Sequence, residues 1–187
     1  MKLSAEEHAR IEAAAKDADA RTGARFSAVI VPVSERYALF PAVWGAAFGF
    51  TVGVAAALLW PLMLLRTGMA IAVGAAALFA LVSDWLPLRL LLVPAHVKRQ
   101  HASAMAHRAF AAHILASRQD GILFFVSLGE RHVEVLASKD VHARVGEDAW
   151  RRIVAGFVSA AKAGRVTDGA VGAIEACAQH LAAHFPK

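Results

Sequence analysis

The stretch that decides the fold is residues 40–65, which read FPAVWGAAFGFTVGVAAALLWPLMLL and contain no charged residue. About 26 residues long, it exceeds the roughly 20 that cross the hydrocarbon core of a bilayer. A core helix of a water-soluble protein would need a polar face, and this stretch has none. A second apolar run, residues 69–82, follows after Arg66, Thr67 and Gly68 only. So short a linker favours an antiparallel return, and we predict a transmembrane hairpin at residues 38–95.

The overall composition agrees with a chain that is partly dissolved in lipid. Of the 187 residues, 58% are hydrophobic, and the mean hydropathy of +0.49 is high for a soluble globular protein. The net charge of +5 does not indicate nucleic-acid binding, because the chain has one Tyr and no basic stripe with interleaved aromatic residues. Cys177 is the single cysteine, which excludes an intramolecular disulfide. The N-terminal segment lacks the apolar core of a signal peptide.

The distribution of basic residues predicts how the hairpin is oriented. Arg36 before the hairpin and Lys98, Arg99 and Arg108 after it outweigh Arg66 in the tip loop. Because Lys and Arg are enriched on the cytoplasmic side, we expect a multi-pass membrane protein whose globular domain faces the cytoplasm.

The end of the second membrane limb leaves two alternatives open. Asp84 and Arg89 interrupt the apolar sequence of residues 84–94, and Pro87 and Pro94 bracket its last part. The segment either finishes the second crossing as a tilted helix or lies flat at the interface.

Small residues recur every four positions along both limbs. Such stripes let two helix backbones approach closely, and we expect the limbs to pack against each other through them. The predicted helix-packing residues are Gly45, Gly49, Gly53 and Ala57 on the first limb and Gly68, Ala72, Ala76 and Ala80 on the second.

The flanking segments, residues 1–36 and 97–187, are predicted to form one split α/β domain. Two near-continuous apolar strands, 26–33 and 122–128, suit a sheet covered on both faces, with the helix beginning at residue 97 between them. This βαβ arrangement predicts parallel strands, and a hairpin at residues 129–131 leads into a third strand at 132–137. Helices are expected at about 4–20, 147–163 and 167–184. The predicted class is α/β, with a small mixed sheet between helices and a transmembrane hairpin inserted in the crossover.

Individual residues set the expected helix ends. Ser4 and Glu7 form an S-x-x-E capping box at the first helix, and Gly23 suits its left-handed C-terminal residue. Thr167 is the expected N-cap of the last helix. Trp150, Ile153, Val154, Phe157 and Ala161 share one helical face and are expected to cover the sheet.

Several local features resemble the TPM domain family. They are the Asp120-Gly121 turn before an apolar strand, the hairpin around Ser127-Leu128 and Arg131-Val133-Glu134, the Trp150-Arg-Arg-Ile153 helix start, the glycines from Gly164 to Gly169, and the closing phrase Leu181-Ala-Ala-His-Phe-Pro186. A version split by a transmembrane pair is similar to a bacterial membrane subgroup of that family. The resemblance implies an α/β/α sandwich.

The resemblance also implies acid phosphatase activity or binding of a divalent cation such as calcium by acidic loop residues. Here the family's Asp-Asn-Gly turn is matched only by Gln119-Asp120-Gly121, and residues 138–141 (Ser-Lys-Asp-Val) replace the expected Gly-aromatic-Gly segment. Asp120, Asp140 and Asp148 are the candidate catalytic residues, and Asp120 and Asp140 the candidate metal ligands. Each also has a structural explanation, because Asp tolerates left-handed turns and acids favour helix N-termini.

Other chemistry-bearing residues give weaker signals. His101, His107 and His113 are six residues apart, so each is rotated by about 240° from the last, and they cannot converge on one ion. His180 and His184 share a face without a third ligand, and His132 and Glu134 are expected to form a surface pair. The chain contains neither G-x-S-x-G nor the phosphate-binding G-x-x-x-x-G-K-[ST].

Two hypotheses for function come from the sequence. The first is a non-enzymatic module that binds, regulates or assembles a membrane complex, with the bilayer and another membrane protein as partners and no nucleic acid. The second is a membrane-anchored acid phosphatase or divalent-cation-dependent hydrolase.

Overall fold

The computed structural model describes residues 3–35, 37, 39–60, 64–83, 85–117 and 119–186. The side chains of residues 86 and 87 are also not described, and the predicted roles of Arg36 and Asp84 lie outside the described residues. The chain divides into two compact units. We call Met1–Ser34 with Arg99–Lys187 the sheet unit, and Glu35–Lys98 the hairpin unit.

Eight helices and three strands follow one another along the described chain. In order they are α1 (Ala5–Arg21), β1 (Arg25–Val31), α2 (Leu39–Leu59), α3 (Leu65–Ser83), α4 (Leu86–Leu92), α5 (Ala95–His113), a 3₁₀ turn (Leu115–Ser117), β2 (Gly121–Ser127), β3 (His132–Ala137), α6 (Lys139–Val145), α7 (Glu147–Lys162) and α8 (Val166–His184).

The sheet is mixed, with the order β1-β2-β3. β1 runs parallel to β2, pairing Arg25 with Gly121, and β2 runs antiparallel to β3, pairing Ile122 with Ala137. Every residue of β2 is buried, as its continuous apolar sequence predicts for a central strand covered on both faces. The predicted parallel pairing of the first two strands and the predicted α/β class are confirmed.

Helices cover both faces of the sheet. On one face Phe26, Ile122, Phe124 and Val126 pack in a core with residues of α1, α6, α7 and α8, and the rings of Phe124 and Phe157 meet edge to face at 5.6 Å. On the other face the buried core consists of Leu123 and Phe125 from β2, Ala102 and Ala106 from α5, and Ile114. Alternate residues of β2 therefore serve two separate cores, as the two-residue period of a strand requires.

The predicted start of α1 is confirmed. Ser4 N–H donates to Glu7 Oε2 at 2.7 Å, and Glu7 N–H donates to Ser4 Oγ at 3.2 Å. The predicted left-handed Gly23 is wrong, because α1 ends in the extended Thr22 and a Cβ on Gly23 would come within 2.7 Å of the Pro186 carbonyl oxygen. Gly23 N–H instead donates to Phe185 O at 2.8 Å, which ties the two ends of the sheet unit together.

The predicted N-cap of the last helix is also wrong. Arg165, not Thr167, is the N-cap of α8, and the Thr167 hydroxyl donates to Glu7 Oε1 at 2.9 Å, linking α8 to α1. Ser138 is the N-cap of the short helix α6, which ends at Gly146 with φ +82°. Of the five residues expected to cover the sheet, Trp150, Ile153 and Phe157 are buried, whereas Val154 and Ala161 are half-buried.

The hairpin unit contains two helices long and apolar enough to cross a membrane, α2 and α3. They pack through small residues in antiparallel order. A Cβ on Gly45 would lie 2.8 Å from the Ala76 carbonyl oxygen, and one on Gly49 would lie 2.6 Å from Ala76 Cβ. Gly53 faces Ala72 in the same way, at 3.0 Å.

Large apolar side chains of α2 and α3 point outward. The exposed ones include Leu39, Val43, Phe50, Leu58 and Leu59 on α2 and Leu65, Met69, Val73, Leu78 and Leu81 on α3. The remaining predicted helix-packing residues lie near the end of α2 and in the first half of α3. There Ala57 is exposed and its neighbour Ala56 is buried, while Gly68 and Ala72 are half-buried. Water would penalise so much exposed apolar surface, whereas hydrocarbon would not.

Residues after α3 form a separate helix rather than a continuation of it. α4 is only seven residues long, begins after the extended Trp85 and ends at the extended Val93. The Trp44 indole N–H donates to Leu92 O at 3.3 Å, which attaches α4 to α2. Arg89 is buried within this short helix, with 7% of its surface exposed.

Candidate functional site

The first candidate residues lie where β2 begins and β3 ends. Arg25 N–H donates to Asp120 O at 2.7 Å. Ser138 N–H donates to Gly121 O at 2.9 Å, and Gly121 N–H donates to Ser138 Oγ at 3.3 Å. The backbone at Asp120 and Gly121 therefore joins the three strands at this end of the sheet, while the Asp120 side chain is exposed.

Asp140 reaches the same end of the sheet, because α6 begins directly after β3. It lies in the first turn of α6 and is exposed. Asp148, also exposed, lies in the first turn of α7, 3.8 Å from Arg151, which pairs more closely with Glu147 at 2.7 Å. Acids in a first helical turn complement the helix dipole, so both have a structural role.

These three carboxylates could attract a cation through solvent, but the described residues contain no group of three or more His, Cys, Asp or Glu side chains able to hold a metal ion. The assignment of Asp120, Asp140 and Asp148 as catalytic residues, and of Asp120 and Asp140 as metal ligands, stays a prediction.

A buried carboxylate lies at the opposite end of the sheet, beyond the carboxyl ends of β1 and β2. Glu130, in the β2–β3 turn, has 9% of its surface exposed. Its Oε1 accepts bonds from the Ser34 amide at 2.9 Å and the Ser34 hydroxyl at 2.8 Å. Its Oε2 accepts a bond from the hydroxyl of Ser127, which is fully buried. The carboxylate is thus held by hydrogen bonds, and Ser127 cannot reach a substrate.

The sequence places Glu130 in the predicted hairpin turn at residues 129–131 and does not predict its burial. The one local signal is Ser127, a polar residue at the end of an otherwise apolar strand and three positions before Glu130. Ser34, the other partner, is 96 residues away in sequence.

A second polar group involves the predicted pair of His132 and Glu134. The two side chains share a face of β3, with His132 Nε2 and Glu134 Oε2 3.0 Å apart. Ser103 of α5 donates to the other carboxylate oxygen at 3.5 Å. The hydrogen bond from His132 lowers the pKa of Glu134 below its usual range, although partial burial opposes the shift. The pair lies between β3 and α5 rather than on a free surface, with about a quarter or less of either side chain exposed.

The remaining histidines do not form a common centre within the part of the chain that the structure describes. His107 bonds through Nδ1 to the Ser103 carbonyl oxygen at 2.9 Å, one turn earlier on α5. His101 and His113 are exposed on the same helix. His180, on α8, lines a surface groove together with residues of α7.

The fold defines an α/β/α domain with a three-stranded mixed sheet, and comparison with known families identifies it. The family profile described as TPM domain matches residues 87–180, about half of the chain. The chain therefore belongs to the TPM domain family, which confirms the resemblance noted from the sequence. The match begins after α2 and α3, so β1, which pairs with β2, lies outside the matched residues.

Comparison with solved structures supports the same fold. The chain is similar to the BA42 protein from the psychrophilic bacterium Bizionia argentinensis, determined by NMR, with a TM-score of 0.56 and 17% sequence identity. The alignment covers 100% of this chain and 86% of BA42. At this identity the likeness shows the fold alone. No curated protein gives a significant match.

Proposed function

We propose that this protein is a membrane-anchored TPM-domain protein whose domain is a non-enzymatic module that binds, regulates or assembles a complex of the bacterial inner membrane. The observation that carries the proposal is the pattern of the hairpin unit, with small residues between α2 and α3 and large apolar residues outside. Lipid-facing helices have this arrangement. The anchor leaves the sheet unit free to contact another membrane protein.

The non-enzymatic role is supported by the state of the acidic residues. Asp120 lies at a turn whose backbone joins the strands at one end of the sheet, and Asp148 lies beside Arg151. Glu130 is held by two serines. A phosphate-ester hydrolase needs a nucleophile or a metal-bound water together with cationic stabilisation of the phosphoryl oxygens. The carboxylates of Glu130 and Asp148 instead have structural partners, in the two serines and in Arg151.

Activity measurements on the full chain in lipid nanodiscs test this role. We expect no hydrolysis of p-nitrophenyl phosphate above that of the Asp120→Ala/Asp140→Ala double variant, with or without calcium or magnesium. Covalent cross-linking in intact cells followed by mass spectrometry should recover one membrane protein in defined proportion. Turnover that the double variant loses would reject the non-enzymatic role.

The proposed location is the inner membrane, with both flanks of the hairpin on the cytoplasmic side. Lys98, Arg99 and Arg108 follow the hairpin, and Arg66 alone lies in its tip. A green fluorescent protein fused at the C-terminus should fluoresce, and an alkaline phosphatase fused there should be inactive. The reverse pair of results would invert the orientation.

One observation favours the second candidate, a divalent-cation-dependent acid phosphatase. The side chains of Asp120 and Asp140 are both exposed, and they lie at the same end of the sheet, because Asp120 precedes β2 and Asp140 follows β3. Two carboxylates with water could bind calcium weakly. A calcium-dependent rise in melting temperature that is lost in Asp120→Ala would support this candidate.

A further inference from the structure

The chain leaves the sheet unit and re-enters it at the same end of the sheet. It leaves after Ser34, whose amide donates to Glu130 in the β2–β3 turn at 2.9 Å. It returns within α5 at Arg99, one turn before Ser103, whose hydroxyl donates to Glu134 near the start of β3 at 3.5 Å. The β2–β3 turn and the start of β3 lie at the carboxyl ends of β1 and β2. We call this end of the sheet unit the exit end.

The turn between α7 and α8 lies at the exit end as well. The last turn of α1 lies beside the start of β1, where Phe26 N–H donates to Asp19 Oδ1 at 2.7 Å. Because α1 packs along the sheet through Ile11, its first turn lies toward the end of β1. There Thr167, in the first turn of α8, donates to Glu7, in the first turn of α1, at 2.9 Å. The fold therefore brings the α7–α8 turn to the exit end.

Four basic side chains at the exit end are exposed and have no ion pair with any described residue. They are Arg99, Arg131 in the β2–β3 turn, and Lys162 and Arg165 beside the α7–α8 turn. The last three are distant from the hairpin in sequence, so they do not belong to the basic residues that directly flank it. Only the fold places them next to the two points where the chain leaves for the membrane.

Most carboxylates at the exit end are held by other groups. Glu130 is buried and accepts hydrogen bonds from two serines. Glu7 belongs to the capping box of α1, and Asp168 pairs with Arg10 at 3.1 Å. Glu6 is exposed and has no ion pair with a described residue. Four unpaired cations therefore face solvent at this end against one exposed, unpaired acid.

The short connection to α2 keeps the exit end close to the bilayer surface. From Ser34 to Leu39, the first residue of α2, the chain spans at most about 18 Å. The headgroup region extends roughly 5–8 Å beyond the hydrocarbon core on each side of a bilayer. Phosphate groups there accept charge-assisted hydrogen bonds from Arg and Lys. Anionic headgroups are thus within reach of these four side chains and complement their charge.

The side chains of the α7–α8 turn favour lipid over a protein as the occupant. Protein interfaces take most of their binding energy from large anchors, above all Trp, Tyr and Arg, that fill pockets of the partner. The turn consists of Lys162, Ala163, Gly164 and Arg165, all exposed. It offers no apolar anchor for a pocket, whereas a charged bilayer surface requires none.

We propose that the exit end of the sheet unit binds the phosphate groups of anionic phospholipids at the bilayer surface through its four unpaired basic side chains. The proposal rests on the membrane anchor proposed above and adds the surface of the sheet unit that faces the bilayer. Asp120 and Asp140, at the opposite end of the sheet, are then directed away from the bilayer. Each Lys or Arg near an anionic surface contributes roughly a fivefold change in the contact equilibrium.

The test measures headgroup contact in the full chain, in a Cys177→Ser background in nanodiscs. A nitroxide at position 163, exposed at the α7–α8 turn, reports collisions with a lipid whose headgroup chelates nickel. Its spin relaxation should be faster in discs of phosphatidylcholine with phosphatidylglycerol than in discs of phosphatidylcholine alone, and high salt should remove the difference. A nitroxide at position 143, exposed on α6 at the opposite end, should show no difference.

Two triple variants remove three positive charges each. Arg131→Gln/Lys162→Gln/Arg165→Gln, at the exit end, should weaken the contact equilibrium by about a hundredfold, at roughly fivefold for each charge. Arg25→Gln/Lys139→Gln/Arg152→Gln, at the opposite end, should leave it unchanged. All six side chains are exposed and none has an ion pair with a described residue, so both variants should melt at similar temperatures.

Three results would overturn the proposal. The first is equal relaxation at position 163 in the two lipid compositions, and the second is equal relaxation in the two triple variants. The third is absence of headgroup contact at position 163 in both discs, which would assign the exit end to an acidic partner protein. A nitroxide at position 50 separates these results from failure of the anchor. If position 50 is in lipid, they reject the headgroup contact alone, whereas position 50 in water would reject the anchor as well.

Discussion

Two phenylalanines show how differently the two units are built. Phe124 in β2 is completely buried, whereas Phe50 in α2 has 74% of its surface exposed. In the sheet unit large apolar side chains lie inside and water drives their burial. In the hairpin unit the interior positions are glycine and alanine, and the large side chains are outside. The different exposure of the same residue type therefore indicates that water surrounds the sheet unit and hydrocarbon surrounds the hairpin unit.

The largest effect is expected from emptying the centre of the sheet unit. Phe124→Ala removes a ring that contacts Phe157 and should lower the free energy of unfolding by about 3–5 kcal/mol. Phe50→Ala, the matched change in the hairpin unit, should alter it by less than about 0.5 kcal/mol. Hydrogen-exchange mass spectrometry of β2 peptides in nanodiscs measures both. Equal losses of unfolding free energy in the two variants would contradict the different solvents assigned to the two units.

The next effect tests the small residues of the hairpin unit. Gly49→Leu places a side chain where even a Cβ would lie 2.6 Å from Ala76 Cβ, and should destabilise the packing of α2 on α3 by about 1–3 kcal/mol. Gly74→Leu is the control, because a Cβ there meets nothing within 4 Å. Disulfide trapping between cysteines introduced on α2 and α3 reports the packing. A comparable loss in both variants would contradict the observed interface.

A smaller effect concerns pH in the sheet unit. The hydrogen bond from His132 lowers the pKa of Glu134, so the folded state is stabilised above the unfolded pKa of about 4.3, and this is lost as pH falls through the lowered folded value. Glu134→Gln should therefore cost stability at pH 7, by less than about 1 kcal/mol, and the difference should shrink below about pH 4. Glu175→Gln, exposed on α8, is the control. A difference between the two proteins that grew below about pH 4 would contradict the lowered pKa of Glu134.

The smallest change is expected at Cys177. Burial raises the pKa of this thiol to about 12, so at pH 8 its thiolate is about a thousandfold rarer than that of a free cysteine. Ellman's reagent should leave it unmodified until the sheet unit unfolds. A cysteine at the exposed position 179, in a Cys177→Ser background, should react at once. Rapid reaction of native Cys177 would show that the core between α8 and the sheet is accessible to solvent.

Local chemistry made much of this molecule predictable. The Ser4–Glu7 box, the apolar strands and the long uncharged helices arise from residues close together in sequence. The errors arise where a distant partner decides. Gly23 and Thr167 have the chemistry of helix ends, but Phe185 and Glu7 give them other tasks.

The candidate site was less predictable for the same reason. Asp120 and Asp140 are candidates through the family resemblance, whereas the burial of Glu130 depends on Ser34, 96 residues away. The seven-residue α6 is too short to show a reliable helical period.

The most direct test of the account is the solvent around α2. A nitroxide at position 50, in a Cys177→Ser chain in nanodiscs, should collide far more often with membrane-soluble oxygen than with a water-soluble nickel complex. A nitroxide at position 104, exposed on α5, should show the opposite preference. Equal access of the nickel complex to both positions would place the apolar helices in water and contradict the account.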